Sequence, residues 1–490
     1  MYDSEKAITK ILDEIKEKYN KLIFVFRYQR EETTNVIYLE DKLDKIKISK
    51  DEGVGIHTFD KEGYMGFAST NIVTGDQLKK TVEASIMNFK MAKNEKFETV
   101  KGINFFKPTK KKIISSPYTR RLNSKEIKKK LVTFINRVKK IKRPKDTKYS
   151  LIYSFNFTRL YKRILRTDGT DIIYAYPYSL LHISITGQRE GETQMLYVVR
   201  RGKLLDTFKD ENGILVEIKN CFKLLSKLLK APKIKPGHYN LLLDGEVGGT
   251  FIHEAFGHSA ESDAIKVKSP LSKNGVFKKY LTVAPKFVNV YEDTRRFDRG
   301  YTPYDEYGIR RKKVFIIKNG KLCNFLSDIN YFLKSPNGAS RAESYADIPL
   351  PRMSNTVIEI SKEKGFNFNF HPLRNSIEKI YKYLQKEKIL DINKPYVYLI
   401  SCSGGEVLHE EGIFQFNADL AYFLHKGKIK LFKGVSFGGK TLTVLKSILG
   451  GSLQKETIPG SCGKNGQNVP VLSTAPAILV LKSSKSIKIG

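Results

Sequence analysis

The chain reads as an α+β protein in three parts. An N-terminal α/β region covers residues 1–100, a strand-rich middle region with one basic helix covers 101–232, and a β-rich C-terminal region with the chemical motif covers 233–490. Three observations predict this. Helical and strand patterns alternate over roughly the first 95 residues, and a strand-rich stretch from Tyr149 to Arg200 follows a basic helical pattern. The final third is punctuated by Gly404-Gly405, Gly438-Gly439, Gly450-Gly451 and a Gly460-to-Gly466 loop, the pattern of short strands with few long helices. At 490 residues the chain also exceeds what one simple core accommodates, so two or three domains are expected.

Taken in order, Ile8, Ile11, Leu12, Ile15 and Tyr19 fall at helical spacing and predict a first helix. An apolar strand is expected from Leu22 to Arg27, then a strand pair around Gly53-Val54-Gly55-Ile56 and a helix from Asp76 to about Lys93. Lys107, Pro108 and Lys110 to Lys112 read as a linker. Asn123 and Glu126 form a capping-box pair, with Ile127, Leu131, Phe134, Ile135 and Val138 on one face of the helix that follows. Asp168-Gly169 predicts a hairpin turn. A helix from about Gly213 to Lys230 stops before Pro232, and a strand from Tyr239 to Asp244 leads through Gly248-Gly249 into another helix.

The formal net charge is +36. Between Lys101 and Lys148 there are eighteen Lys or Arg residues against Glu126 and Asp146. Binding of a polyanion or nucleic acid through 101–148 is therefore the alternative function to weigh. The same lysines also fit the solvated face of an amphipathic helix, and no recognition-helix, zinc-knuckle or aromatic RNP motif accompanies them, so nucleic acid is not the expected partner. No run of 18 apolar residues predicts a membrane helix, and the N-terminal stretch lacks the apolar core of a signal peptide. Cys221, Cys323, Cys402 and Cys462 are scattered and suggest no disulfide framework, so a cytoplasmic protein is expected.

The run His253-Glu254-Ala-Phe-Gly-His258 carries the chemistry. Two imidazoles and a carboxylate at the start of a helix suggest two zinc ligands and a general base, Glu254. The spacing departs from His-Glu-x-x-His, in which the histidines are four apart on one face. Five apart, they are separated by roughly 140° on an ideal α-helix. Chelation by both rings requires a locally widened helix such as a π-bulge, and Gly257 is placed to relieve its crowding.

A catalytic zinc site needs a third protein ligand. Glu261 and Asp263, downstream on the same segment, would complete a two-His-one-carboxylate set. Cys462, in a glycine-rich loop, is the competitor, with Lys464 nearby to lower its thiol pKa. Residue chemistry alone leaves both options open. His409 has no partner at useful spacing and reads as a solvated turn.

Six separated blocks resemble the TldD branch of the TldD/PmbA metallopeptidase family. They are Gly-Val-Gly-Ile with Gly66-Phe-Ala-Ser (53–69), Gly248 through the motif to Asp263, Gly300-Tyr-Thr-Pro-Tyr-Asp-Glu306, Asn337-Gly-Ala-Ser-Arg-Ala-Glu-Ser344, Pro351-Arg-Met-Ser-Asn-Thr356 and Cys462-Gly-Lys-Asn-Gly-Gln467. They occur in family order over most of the chain, although the middle region contributes none. The resemblance implies zinc held by His253, His258 and Cys462, with Glu254 as catalytic base, and so places the third ligand on Cys462. Glu261 and Asp263 then read as acids that orient a histidine, or as plain acids of the helix surface. The resemblance also implies unstructured peptide substrates and a dimer, either of two copies or with a non-catalytic paralogue. Asn337, Arg341, Arg352 and Asn355 lie in matched blocks and are candidates to hold a peptide main chain, or to satisfy backbone carbonyls.

Overall fold

A computed structural model describes residues 3–408, 410–485 and 487–490; His409 lies outside the described residues. Long antiparallel strands dominate its first half. Ile23–Leu39 and Lys42–Phe59 form one hairpin, and Lys148–Arg166 and Asp171–Arg189 form another. Strand Ile23–Leu39 pairs with Lys148–Arg166, so the N-terminal and middle regions share one seven-stranded sheet. The expected strand at 22–27 is therefore only the start of a 17-residue element. Beyond Arg27 its polar residues conceal the strand, because they pair along both edges of a sheet interior. The expected linker at 110–112 is also a strand, Lys110–Ile114, which joins the edge of Asp171–Arg189 in parallel register.

The predicted helices form with small shifts in their ends: Asp3–Lys18, Gly75–Asn94, Ser124–Lys139 and Glu211–Leu228. The Asn123/Glu126 capping box closes in both directions. Ile127, Leu131, Phe134, Ile135 and Val138 are all buried, so the lysines of this helix take the outer face as the pattern requires. The Asp168-Gly169 hairpin turn also forms, with Gly169 in the left-handed region at φ +91°.

After residue 236 the chain builds two further large sheets and two small two-stranded ones. A six-stranded sheet contains Val288–Glu292, Asn355–Ile360 and the hairpin Lys455–Lys464/Gln467–Pro476. An eight-stranded sheet is centred on Asn240–Asp244, Tyr396–Leu408 and Ile413–His425. Its 13-residue strands Tyr396–Leu408, Ile413–His425 and Lys428–Lys440 are longer than the glycine-rich sequence predicts. One helical segment leaves buried strand Asn240–Asp244, with the Asp244 side chain capping it by accepting from the Val247 N–H at 2.8 Å. Phe251 and Phe256 on that segment enter a core shared by both sheets. The functional motif thus sits on a helix wedged between two sheets.

Candidate metal centre

Residues Phe251–Gly257 form a π-helical turn, which accounts for the spacing of the two histidines. A π-turn closes hydrogen bonds between residues five apart, and the His258 N–H donates to the His253 carbonyl in this way. The two rings consequently share a face, with centroids 5.2 Å apart and planes at 87°. Gly257 itself has ordinary helical angles, φ −59° and ψ −49°. A Cβ there would lie 2.1 Å from the sulfur of fully buried Met353. The neighbour that a side chain at this position meets is therefore Met353, packed on the turn.

Cys462 comes from the strand Lys455–Lys464, not from a mobile loop. The strand turns back through Asn465 and Gly466, both left-handed at φ +49° and +76°. Asn-Gly in a two-residue hairpin turn is a strong sequence signal, and here the surrounding glycines masked it. Cys462 is 2% exposed, and its Sγ lies 3.3 Å from His258 Nε2. The ligand atoms of His253, His258 and Cys462 all lie within 4.8 Å of one another, and all three residues are buried. Apart from the Cys462 sulfur, neither ring nitrogen of buried His253 has a partner among the described residues, a costly state for a buried polar group and one that a bound cation relieves. Two imidazole nitrogens and a thiol form a donor set that zinc accepts.

Electrostatics prepare the same three groups. Burial raises the Cys462 thiol, but hydrogen bonds and charge from His253 and His258 outweigh it and lower the thiol from 9.0 to about 5. Burial lowers His258, yet the charge of Glu261 and the contact with Cys462 carry it well above its ordinary value. Burial, helped by the charges of Glu246 and Asp419, takes Cys402 the other way, up to about 12. The thiolate is the metal-binding form of cysteine, and Cys462 is the residue held in it.

Glu254 is the one residue of the π-turn that is not buried. Its side chain is 32% exposed, with Oε2 3.7 Å from His258 Nε2, so a carboxylate borders the trio on the solvent side. Glu261 takes the opposite side of the His258 ring, where Oε2 stands 2.9 Å from Nδ1. With Nδ1–H donating to this carboxylate, Nε2 carries the lone pair whenever the ring is neutral, as ligation requires. Glu261 is therefore a support for His258, turned away from the Cys462 side. Asp263 does not reach either histidine; it is held by Lys464, which also binds Glu261, each at 2.8 Å. Lys464 is thus occupied by these two acids and by the Pro351 carbonyl at 3.1 Å, and it is the histidines that lower the thiol.

The four polar residues from matched blocks have internal partners. Asn337 bridges its own loop, donating to the Phe325 carbonyl at 2.7 Å and accepting from the Ser327 N–H at 3.0 Å. Buried Arg341 donates to the carbonyls of Met353 and Pro470, the latter at 2.8 Å. Arg352, with no exposed surface, donates to the Cys462 carbonyl. Asn355 accepts from Thr474 Oγ1 at 2.9 Å. These bonds tie the four residues into the walls around the site, while Arg352 keeps its buried Nε and Nη1 without partners among the described residues. Glu292, which nothing in the sequence singled out, is a hub of the same kind. It accepts from the N–H groups of Ser354 and Asn355, from Thr356 Oγ1 and from Arg311.

Residues 236–484 match the family model described as the PmbA/TldA metallopeptidase C-terminal domain, and residues 25–88 match the model for domain 1 of that family. A metalloprotease of Archaeoglobus fulgidus is 29% identical over 299 residues, which span 61% of this chain and 64% of that relative. A zinc metalloprotease TldD homolog of Saccharolobus solfataricus is 27% identical over 481 residues, covering 95% of each chain. A solved structure from Thermotoga maritima, described as a candidate modulator of a DNA gyrase, has the same fold, with TM-score 0.73 at 16% identity over 99% of this chain and 100% of that one. The C-terminal family match covers half of the chain and contains both the π-turn and the hairpin cysteine: the chain belongs to the TldD/PmbA metallopeptidase family.

Proposed function

We propose that this chain is a zinc-dependent peptidase that hydrolyses unstructured peptides, with His253, His258 and Cys462 as the metal ligands and Glu254 as general base. The observation that carries this reading is the convergence of three buried ligand atoms within 4.8 Å, bordered by one solvent-reached carboxylate. Zinc held there supplies Lewis acidity, which polarises a scissile carbonyl and acidifies water. Glu254 accepts the proton that attacking water loses and passes it to the leaving amine. Glu261 favours the His258 tautomer with its lone pair on Nε2, the nitrogen that would ligate, and the buried acid–lysine cluster behind it fixes the ring. No helix is long and apolar enough to cross a membrane among the described residues. We place the protein in the cytoplasm, acting as a dimer with a second copy or with a non-catalytic paralogue.

Replacing Glu254 with Gln is expected to leave zinc content intact and lower peptide cleavage by about 10²–10⁴-fold, the range for loss of a general base. Undiminished cleavage in that variant would remove Glu254 from the mechanism.

The alternative is a polyanion-binding modulator using 101–148, which the description of the Thermotoga maritima relative keeps in view. Several cations of that segment are engaged with acids: Lys130 and Arg137 with Glu211, and Lys139 with Asp41. Nucleic-acid binding that falls steeply with salt and survives zinc removal would favour this alternative.

A further inference from the structure

The hairpin that carries Cys462 outgrows its sheet. Strand Gln467–Pro476 pairs with Asn355–Ile360 only at Leu472, Ser473 and Thr474. Cys462 lies opposite Val469, beyond that support, on a ribbon of two strands. Such ribbons are marginally stable and strongly twisted, whereas a functional site tolerates displacement of only about 0.5 Å. The ribbon must be held from outside its sheet.

Its tip is tied to residues 343–348. Gln467 Nε2 donates to the Ile348 carbonyl at 2.8 Å and its Oε1 accepts from the Glu343 N–H at 3.3 Å. The Asn468 N–H donates to the Glu343 carboxylate at 2.7 Å. The segment is itself fastened to the N-terminal sheet. Arg27 donates to the carbonyls of Tyr345, at 3.2 Å, and Asp347. Gln29 donates to the Glu343 carbonyl at 3.3 Å, and Tyr345 Oη to Asp51 at 3.1 Å. The approach is close: a Cβ on Gly53 or Gly55 would lie 2.2 Å from Tyr345 atoms. Arg27 is buried and pinned by Glu306 at 3.2 Å.

We infer that Arg27 and Gln467 are positioning residues for Cys462, acting in series: the N-terminal sheet fixes residues 343–348, and these fix the hairpin tip and so the third corner of the metal centre. The inference rests on the proposed role of Cys462 as a ligand. It also gives the matched glycines at 53 and 55 a purpose, since only a bare strand lets the segment lie against the sheet.

The test uses the full-length protein loaded with cobalt(II) in place of zinc, reading the cobalt–thiolate charge-transfer band and the rate of metal release to a chelator. Gln467→Ala and Arg27→Ala are each expected to weaken the band and speed release by about tenfold or more, as for other supporting groups of metal sites. The double variant should be no worse than the more affected single one, because residues acting through one connection are not additive. Unchanged band and release in both single variants would overturn the inference, as would fully additive losses. Should Arg27→Ala fail to fold, Gln29→Ala, which breaks the same connection, takes its place with the same expectations. A wild-type protein that binds cobalt without a thiolate band would instead sink the ligand role of Cys462 itself.

Discussion

His253 and His258 are placed by a single π-turn, whereas Cys462 reaches them across 204 positions of sequence on a ribbon held by other parts of the fold. In the first case backbone hydrogen bonding does the placing: one bond between residues five apart puts two rings on one face. In the second case side chains do it, through Arg352 on the Cys462 carbonyl, Lys464 on the Pro351 carbonyl and Arg341 on the Pro470 carbonyl. A local motif therefore supplies two imidazoles and a carboxylate, and the fold decides whether a thiol joins them.

The two halves can be damaged separately. The largest effect after loss of a ligand belongs to Glu261, which touches both halves: it accepts from His258 and binds Lys464 of the hairpin. Glu261→Gln is expected to lower zinc affinity by about 10–100-fold in a chelator competition; unchanged affinity would mean the two halves do not communicate through this carboxylate. A smaller effect is expected on the local half alone. Gly257→Ala forces a Cβ against Met353 and should cost about 1–3 kcal/mol in denaturant unfolding of the metal-free protein. A neutral result would show that Met353 yields easily and does not fix the turn.

The third test concerns the remote half without metal. The Cys462 thiol is depressed in the folded protein, from 9.0 to about 5. Its thiolate therefore contributes stability that is fully present above pH 9 and is lost as pH falls through about 5. Thiolate absorbance of the metal-free protein should titrate with a midpoint near pH 5, and Cys462→Ser should abolish that step. A midpoint at ordinary thiol values would show that the two histidines do not reach the sulfur.

The difference between the halves also explains what could be read from sequence. The His-Glu-x-x-x-His run showed that both rings could chelate one ion only on a widened helix, because helical periodicity is a local property. The capping box at Asn123/Glu126 and the turn at Asp168-Gly169 were legible for the same reason. Cys462 was one of two options until family resemblance favoured it, since nothing local marks a strand residue that closes a site from afar. Ile23–Leu39 was cut short because its polar residues are satisfied by sheet neighbours distant in sequence. Asn337, Arg341, Arg352 and Asn355 were candidates for peptide contact. Their carbonyl and hydroxyl partners, Phe325, Pro470, Cys462 and Thr474, become visible only once the chain has folded.

In the proposed centre the metal has three protein corners, one of them supplied by the hairpin. Zinc content of the purified wild-type protein measured beside Cys462→Ser tests it most directly. One zinc per wild-type chain and a serine variant that retains little, with affinity reduced beyond the ~100-fold typical of supporting groups, is the predicted result. Full zinc in Cys462→Ser would contradict it and return the third position to a carboxylate near the helix, Glu261 or Asp263.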